Sequence, residues 1–358
     1  MIKFCYPVTL PAMALLLLLT ACAPVPQVAE QVLPNIDQNG QITEPEPPSE
    51  FQIWLKELRQ DALAQGVRPE VLQEALDGLQ PTPAVVTPRH KQAEFSLTKD
   101  EYVRRLASEH RFQEGLRQMT QHRLLLQQIA QSYGVQSEYL VALWAIESDF
   151  GKGINRFGVI EALATQAYQG QRQAFFRKQL LAALAILDQE QMRSQDLRGS
   201  WAGAMGHFQF IPTTYRDYAV DFNGDGHRNI WTDVEDALAS AASYLARAGW
   251  QKDQAWGWQV ERPEHFDLSL ADPDIRKSLG DWRKSGLAVP SGSDDLMASL
   301  IFPDGPEGLA FLVTGNFRTI MRWNRSVAFA LAVGTLADRL KKEAGSFQNP
   351  PGILPETP

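Results

Sequence analysis

The chain has 358 residues, 44% of them hydrophobic, so it can bury the core of one large domain or of two ordinary ones. Its formal net charge of -8 gives no broad positive field, which excludes nucleic acid as an expected partner. Only two cysteines are present, Cys5 and Cys22, and both lie so near the N-terminus that an internal disulfide is not expected in a processed protein.

The N-terminus has the pattern of an export signal. Lys3 supplies a short positive region, and residues 8–21 form an apolar run that is too short for a comfortable membrane span. The tetrapeptide Leu-Thr-Ala-Cys that ends at Cys22 resembles the bacterial lipobox, which implies cleavage before Cys22 and acylation of that residue. The alternatives are an ordinary secretory signal cut near Ala21 and a chance cysteine. We predict a lipoprotein signal peptide over residues 1–21, with Cys22 as the lipidation site.

The segment that follows is predicted to be a disordered tether. Residues 22–50 are rich in Pro, Gln, Glu and Asn and lack apolar periodicity. Acyl chains on Cys22 would anchor this tether to a membrane, and Ala23 resembles the pattern that sorts lipoproteins to the outer membrane. The expected location is therefore the periplasm, with a lipid anchor in the outer membrane.

Helical periodicity begins at Phe51 and dominates to about residue 249. Residues 51–101 are predicted to form a small helical lead-in, with a break at the proline-rich stretch 81–88. Residues 102–255 are predicted to form an α-helical core. Its clearest helical patterns are those of residues 123–133, 137–148, 175–191 and 234–248.

Glu147 is a carboxylate in an unusual place. In a helix over residues 137–149 it continues a stripe of three apolar side chains, Leu140, Leu143 and Trp144. An apolar environment disfavours the ionised carboxylate, so the pKa of Glu147 should rise, as a general acid near neutral pH requires. The alternative is a residue at a helix end that bends back to water, since Asp149 and Gly151 indicate that the helix stops close by.

A glycine-rich segment over residues 200–212 is a second candidate. Its small residues allow the backbone to approach a ligand closely, and Gln209 offers both an amide donor and an acceptor, which suits sugar hydroxyls or an acetamido group. The alternative is a tight loop that leads into a helix beginning at Pro212, with Gln209 on its surface.

A third candidate resembles the start of an EF-hand calcium loop. Asp221, Asn223 and Asp225 stand at loop positions 1, 3 and 5, a glycine follows at position 6, and His227 offers its backbone carbonyl at position 7. Position 12 is Thr232 instead of glutamate, so the last ligand must come from elsewhere. The alternative is an acidic turn without metal. A bound calcium ion would be structural and weakly held.

Residues 256–319 are predicted to form a small β-containing insertion. Short β-like runs at 258–260, 266–268 and 309–313 alternate there with Pro, Gly and Asp. A final helix over residues 326–340 returns the chain to the core, so residues 320–345 are assigned to the core and 346–358 to a flexible tail.

Three segments in this order, 145–151, 203–212 and 221–231, resemble the lytic murein transglycosylase B family, and the resemblance extends over residues 102–340. It implies a mainly α fold: a lysozyme-like α-domain with a helical lead-in and a small β-containing insertion. It also implies cleavage of the β-1,4 bond between N-acetylmuramic acid and N-acetylglucosamine in peptidoglycan. The muramyl C6 hydroxyl would replace water and close a 1,6-anhydro ring.

The resemblance also assigns roles to residues. The family's single acid, which then acts as base, falls on Glu147. A second family arginine is Gln173 here, which puts one basic contact in doubt. Phe176 and Trp323 stand where the family has aromatic residues, and simple core packing is the alternative for both. The family's sugar contacts fall on five residues, Ser200, Gln209, Asn324, Arg172 and Tyr102.

No cofactor is expected for catalysis, and the family's longer calcium loop suggests Asp236 as the last ligand, with Glu235 as the competing choice. The expected partners are glycan strands of peptidoglycan and a membrane reached through the N-terminal anchor. Proteins of cell-wall synthesis or division are further candidates. Two other functions stay open at this point: a muramidase that uses water, and a non-catalytic scaffold lipoprotein that binds peptidoglycan.

Overall fold

The computed structural model describes residues 49–82, 97–152, 156–262, 266–289 and 294–348. It also describes residue 85 and two short strands before residue 49. These strands, β1 (Asn35–Ile36) and β2 (Ile42–Thr43), pair antiparallel and belong to a separate unit, residues 1–48. The predicted tether thus contains one strand pairing that its composition did not indicate. The predicted signal peptide and Cys22 lie outside the described residues.

The second unit, residues 49–358, is mainly α-helical, which confirms the predicted fold class. Two short strands, β3 (Phe157–Gly158) and β4 (Arg198–Gly199), pair antiparallel within it. Among the described residues, no helix is both long and apolar enough to cross a bilayer. The helices are α1 (Glu50–Ala64), α2 (Pro69–Leu76), α3 (Lys99–Leu106), α4 (Glu109–Gln121), α5 (Arg123–Tyr133), α6 (Ser137–Ser148), α7 (Val159–Gln169), α8 (Gln173–Gln189), α9 (Pro212–Tyr218), α10 (Val234–Arg247), α11 (Leu279–Lys284), α12 (Gly315–Trp323) and α13 (Val327–Gln348).

Helix α6 is the central helix of the core. Every residue from Tyr139 to Ile146 is buried, because α4, α5, α10 and α13 all pack against this helix. The prediction of a single apolar stripe is wrong in this respect, since a helix enclosed by neighbours needs apolar residues on all its faces. Glu147 therefore follows directly on a fully buried run.

The helical lead-in packs onto α8. Helices α1 and α2 both contact it, and the backbone N–H of Arg68 donates to the Asp188 carboxylate at 3.1 Å. Phe51 and Trp54 of α1 contact Tyr168 of α7, with ring centroids 5.0 and 5.7 Å apart. The lead-in is therefore part of the same packed body as the core.

The insertion is a four-stranded antiparallel sheet with strand order β5-β8-β7-β6. Its core surrounds Trp282 of α11, which is fully buried and donates from Nε1 to the Ala298 carbonyl at 2.9 Å. The predicted strand at 266–268 is wrong, since a 3-10 turn begins at Leu268, while β7 was not predicted. The strands are β5 (Gly257–Val260), β6 (Lys277–Ser278), β7 (Met297–Ile301) and β8 (Ala310–Val313).

The insertion touches the core at the N-terminus of α3. Both carboxylate oxygens of Asp304 accept backbone N–H groups there, from Lys99 at 2.8 Å and Asp100 at 3.0 Å. Thr98 and Glu101 complete a capping box at the same helix end. The N-terminus of this eight-residue helix is thus capped both by its own residues and by the insertion.

Helices α12 and α13 return the chain to the core, as predicted for the C-terminal segment. Helix α12 begins at Gly315, inside the range assigned to the insertion, and α13 continues to Gln348 instead of ending near Leu340. The first three residues of the predicted tail, 346–348, are therefore helical. The remaining tail, 349–358, lies outside the described residues.

Candidate active site

Glu147 lies in the last turn of α6, where the buried helix reaches the surface. The residue as a whole is half-buried, and burial of its carboxyl group raises its pKa from the ordinary 4.5 to about 7. Trp323 donates from Nε1 to Oε1 of Glu147 at 2.7 Å, which stabilises the carboxylate and opposes part of this rise. Both protonation states of Glu147 are therefore populated near neutral pH, as a group that gives and then takes a proton requires.

Trp323 is held by a cluster of aromatic rings. Its ring centroid lies 6.1 Å from Phe208, 5.4 Å from Phe210 and 4.8 Å from Tyr244. The sequence suggested an aromatic residue here but not its hydrogen bond to Glu147. The two residues are 176 positions apart, so no local pattern could have indicated the contact.

Arg111 is a second contact that sequence reasoning missed. From α4 its Nε donates to the carbonyl of Ala145 at 2.9 Å, and Nη1 donates to the carbonyl of Leu106 at 3.2 Å. The Ala145 carbonyl also accepts the backbone N–H of Asp149 at 3.0 Å, so Arg111 is a second donor to it. This bond ties the turn that carries Glu147 to α4 and to the end of α3.

The glycine-rich segment forms a compact turn. Met205 and Phe210 exchange two backbone hydrogen bonds, at 2.8 and 2.9 Å. Gly206 has φ 66°, and a Cβ there would lie 2.4 Å from the carbonyl oxygen of Ile230, so no larger residue fits. Gln209 itself has φ 51° and donates from Nε2 to the Gly206 carbonyl at 2.9 Å. Its Oε1 and one N–H remain for a ligand.

Ser200 stabilises the other end of this turn. Its Oγ accepts the backbone N–H groups of Ala202 at 3.3 Å and Ala204 at 3.0 Å, which leaves its O–H proton to donate. The next residue, Trp201, is 48% exposed on the rigid turn. An exposed indole of this kind offers an apolar face with a polar edge, which is suited to a sugar ring.

Asn324 directly follows Trp323 and ends α12. It is half-buried, and its Oδ1 accepts the Ser326 N–H at 3.1 Å. Because Phe208 and Phe210 flank Gln209 and contact Trp323, the structure groups Gln209 and Asn324 with Glu147 through this tryptophan.

The other predicted contacts come from two outer helices. Arg172 is exposed at the start of α8, with its guanidinium 4.1 Å from the ring centroid of Phe175. Phe176 is buried against Phe175, with ring centroids 5.2 Å apart, so it packs in the core. Tyr102 is almost fully buried on α3, which packs against α13.

The calcium-like loop has the turn geometry that its sequence predicts. The Asp221 carboxylate accepts the backbone N–H groups of Gly224 at 2.7 Å, Asp225 at 3.2 Å and Gly226 at 2.9 Å. The side chain of Asn223 accepts the Asp225 N–H at 2.9 Å. The polar side chains thus turn onto their own loop. Oδ1 of Asp221 accepts two of these N–H groups, whereas Oδ2 of Asp221 and Oδ1 of Asn223 each accept one and keep a lone pair that a hard cation could use.

Asp236 is bonded to two separate points of this loop. Its carboxylate is fully buried and accepts the backbone N–H groups of Phe222 at 2.8 Å and Asn229 at 2.7 Å, and burial raises its pKa. The competing choice, Glu235, is exposed. Asp233, which the sequence reasoning did not consider, accepts from Asn223 Nδ2 at 2.7 Å.

The donor set fits a metal ion only in part. Among the described residues, no group of three or more His, Cys, Asp and Glu side chains stands close enough to hold a metal ion. Asp221, Asp225 and Asp236 do not form such a group. Amide and backbone carbonyl oxygens, such as those of Asn223 and His227, would have to complete the coordination.

The next carboxylate along the chain from Glu147 is that of Asp149. The backbone of Asp149 has a left-handed conformation, with φ 49°. Its carboxylate lies 3.7 Å from Nε2 of His110 on α4. Within the described part of the chain, burial and the Trp323 bond account for the pKa shift of Glu147, with no contribution from another carboxylate. The geometry therefore favours one group that acts as acid and base in turn over a pair of carboxylates.

Comparison with known proteins gives consistent matches. The transglycosylase SLT domain family matches residues 50–338. Membrane-bound lytic murein transglycosylase B of Escherichia coli (strain K12) is 32% identical over 286 residues, which cover 77% of this chain and 76% of that protein. The crystal structure of SltB3 from Pseudomonas aeruginosa in complex with NAG-NAM-pentapeptide is 43% identical, with a TM-score of 0.76 over 82% of this chain and 80% of that chain.

A further solved structure, the Escherichia coli lytic transglycosylase SLT35 in complex with calcium, is 28% identical. Its TM-score is 0.69, and the match covers 81% of this chain and 93% of that chain. These matches confirm the lysozyme-like fold and the resemblance that the three sequence segments indicated. The chain belongs to the transglycosylase SLT domain family and is a lytic transglycosylase, a lyase that acts on peptidoglycan.

Proposed function

We propose that Glu147 is the only catalytic acid and base of this lytic transglycosylase. The protonated carboxyl gives its proton to the glycosidic oxygen between N-acetylmuramic acid and N-acetylglucosamine. The resulting carboxylate then takes the proton of the muramyl C6 hydroxyl as that oxygen attacks C1, which leaves a 1,6-anhydromuramic acid end. The position of Glu147 carries this proposal: its carboxyl stands at the end of a buried helix and accepts a hydrogen bond from Trp323, and burial raises its pKa to about 7, which makes both steps accessible at neutral pH.

Acid-base catalysis of this kind typically supplies about 10²–10⁴ in rate, so the groove must also bind and distort the sugar. Gln209 lies between Phe208 and Phe210, which contact Trp323, and Asn324 follows Trp323 in the chain. Ser200 Oγ accepts two N–H groups of its own loop, which leaves its O–H proton to donate. We assign these three residues to sugar hydroxyl and acetamido groups. Arg172 and Tyr102 are assigned to more distant parts of the same glycan strand, on the resemblance alone.

Digestion of purified sacculi by wild type and Glu147→Gln tests the catalytic assignment. Wild type should release fragments with anhydromuramyl ends, one water lighter than hydrolytic products, and the variant should bind sacculi without releasing fragments. Reducing ends from the wild type would support a muramidase that uses water. Equal turnover by Glu147→Gln would refute the assignment of Glu147, and binding without turnover by wild type would support a scaffold protein.

We also propose a structural calcium ion in the loop over residues 221–236, with no role in the chemistry. Its ligands would be oxygens of Asp221, Asn223, Asp225 and His227, completed by Asp236 or Glu235. The support is the loop geometry, together with the related SLT35, whose crystal structure is a complex with calcium. Chelation should lower the Tm of wild type but not of Asp225→Ala. An unchanged Tm of the chelated wild type would remove the proposal.

For location, we propose a periplasmic protein anchored through an acylated Cys22 in the outer membrane. Peptidoglycan lies in the periplasm, and the related Escherichia coli protein is named membrane-bound. Labelling cells with an alkyne fatty acid should mark wild type but not Cys22→Ser, and the label should fractionate with the outer membrane. An unlabelled wild type would contradict the anchor. Cross-linking in the same cells would test for wall-synthesis or division proteins as partners.

A further inference from the structure

The chain directly after the turn of Glu147 is strained. Asp149, Phe150 and Gly151 are three consecutive residues with left-handed φ angles, of 49°, 62° and 84°. For the two residues that carry a Cβ, this conformation is unfavourable, and a phenylalanine rarely adopts it. Such a sequence persists only where the surrounding structure holds it in place.

His207 makes the contacts that hold this strained segment. Trp144 donates from Nε1 to His207 Nδ1 at 2.8 Å, and Ser148 donates from Oγ to the His207 carbonyl at 2.6 Å. The same Oγ accepts the N–H of Gly151 at 2.9 Å. The residue three positions before Glu147 and the residue directly after it are thus both bonded to His207.

The imidazole ring also fills the space above the strained turn. A Cβ on Gly151 would lie 2.5 Å from Cε1 and 2.7 Å from Nδ1 of His207, so the ring lies directly on the backbone there. His207 is buried, and its backbone N–H donates to the carbonyl of Ile230 at 3.0 Å. His207 is therefore packed between the end of α6 and the end of the calcium-like loop.

We propose that His207 is a positioning residue for Glu147, and that its unprotonated Nδ1 and buried ring fix the last turn of α6. Because the indole N–H of Trp144 can only donate, Nδ1 must carry no proton and the neutral imidazole carries it on Nε2. Burial lowers the pKa of His207, which favours this neutral form. The inference rests on the proposed role of Glu147, which Glu147→Gln tests separately.

Two substitutions of His207 separate positioning from packing. In His207→Asn, the amide oxygen stands near the place of Nδ1 and can accept the Trp144 bond, whereas His207→Leu keeps bulk but offers no acceptor. Trp144→Phe removes the same bond from its other end. Trp282→Phe is the matched control, because it also removes an indole N–H from a buried acceptor, the Ala298 carbonyl, inside the insertion.

Steady-state kinetics on soluble glycan strands and thermal melting are measured for all four variants. His207→Leu and Trp144→Phe should each lower kcat about 10- to 100-fold with KM within about twofold, since small misplacements of a catalytic group have effects of this size. A fifth variant, which combines His207→Leu with Trp144→Phe, should be no slower than the slower of these two single variants, because both remove the same bond. His207→Asn should recover most of kcat, and Trp282→Phe should lower Tm while keeping kcat.

Wild-type kcat in His207→Leu and Trp144→Phe would overturn the inference, and so would His207→Asn being as slow as His207→Leu. The inference would also be overturned if Trp282→Phe lowered kcat as much as His207→Leu and Trp144→Phe do for a similar fall in Tm. Loss of stability alone would then explain the losses of kcat. If His207→Leu does not fold, Trp144→Phe and His207→Asn decide the question. Should Glu147→Gln keep turnover, the proposed function fails first and independently.

Discussion

Replacing Trp323 by Phe should move the pH dependence of the enzyme toward higher pH. The substitution keeps an aromatic ring beside Phe210 and Tyr244 and removes the N–H that Trp323 donates to Glu147. That bond stabilises the carboxylate, so its loss raises the pKa of Glu147 above its value of about 7. A hydrogen bond to a charged group contributes about 1.5–3 kcal/mol, and one pKa unit corresponds to about 1.4 kcal/mol.

The expected rise is therefore about one unit, the lower end of this range, because Trp323 is half-buried and water can replace part of the bond. Since Glu147 must be protonated for the first step, kcat/KM should fall with an apparent pKa near 7 in wild type and near 8 in Trp323→Phe. Trp250→Phe is the control: it removes an indole N–H donated to Gln136 at 2.7 Å, and its pH profile should match that of wild type.

Kinetics on purified glycan strands between pH 5 and about 9 would measure these profiles, and titration of the Glu147 carboxyl by NMR would assign them. A basic limb that stays in place, or moves to lower pH, in Trp323→Phe would refute the reasoning. So would an equal shift in Trp250→Phe, because the effect would then not depend on the bond to Glu147.

Three further predictions concern stability. The raised pKa of Glu147 means that ionising it in the folded state is costly, so Glu147→Gln should be more stable than wild type above pH 7, by up to about 3 kcal/mol for a rise of about 2.5 units. Urea unfolding should show this gain shrinking as the pH falls from 7 to 4.5, and a gain that is independent of pH would contradict it. Asp236→Ala leaves two half-buried backbone N–H groups without their acceptor and should lose about 1–3 kcal/mol in the same assay; an unchanged free energy of unfolding would show that water replaces the carboxylate. Gly334→Ala places a Cβ 2.3 Å from the Trp256 ring and should lower Tm, although alanine favours a helix; an unchanged Tm would mean that the ring has room to shift.

The sequence predicted those helices whose apolar residues recur at a clear helical spacing. Helices α5, α6 and α10 begin at the expected residues and end within one residue of them, and α9 begins at Pro212. The raised pKa of Glu147 was also expected, although the single apolar stripe behind that argument is replaced by burial on all sides.

The sequence could not indicate contacts between distant segments. Strand β7 is buried along most of its length, so it lacks the alternation that reveals a half-exposed strand. The bond from Trp323 to Glu147 and the bond from Trp144 to His207 each join segments separated by two or more helices. The resemblance suggested Asp236 as a metal ligand, but no local pattern could indicate that its two oxygens accept the backbone N–H groups of Phe222 and Asn229.

The Asp304 carboxylate at the N-terminus of α3 makes the insertion more than an accessory to the core. An isolated helix of eight residues is unstable in water, so α3 depends on what is bound at its ends. Removing residues 257–313 would take away that external cap together with the sheet. The first consequence would be fraying at the N-terminus of the helix that carries Tyr102, so an insertion taken from a relative must supply a carboxylate in the place of Asp304.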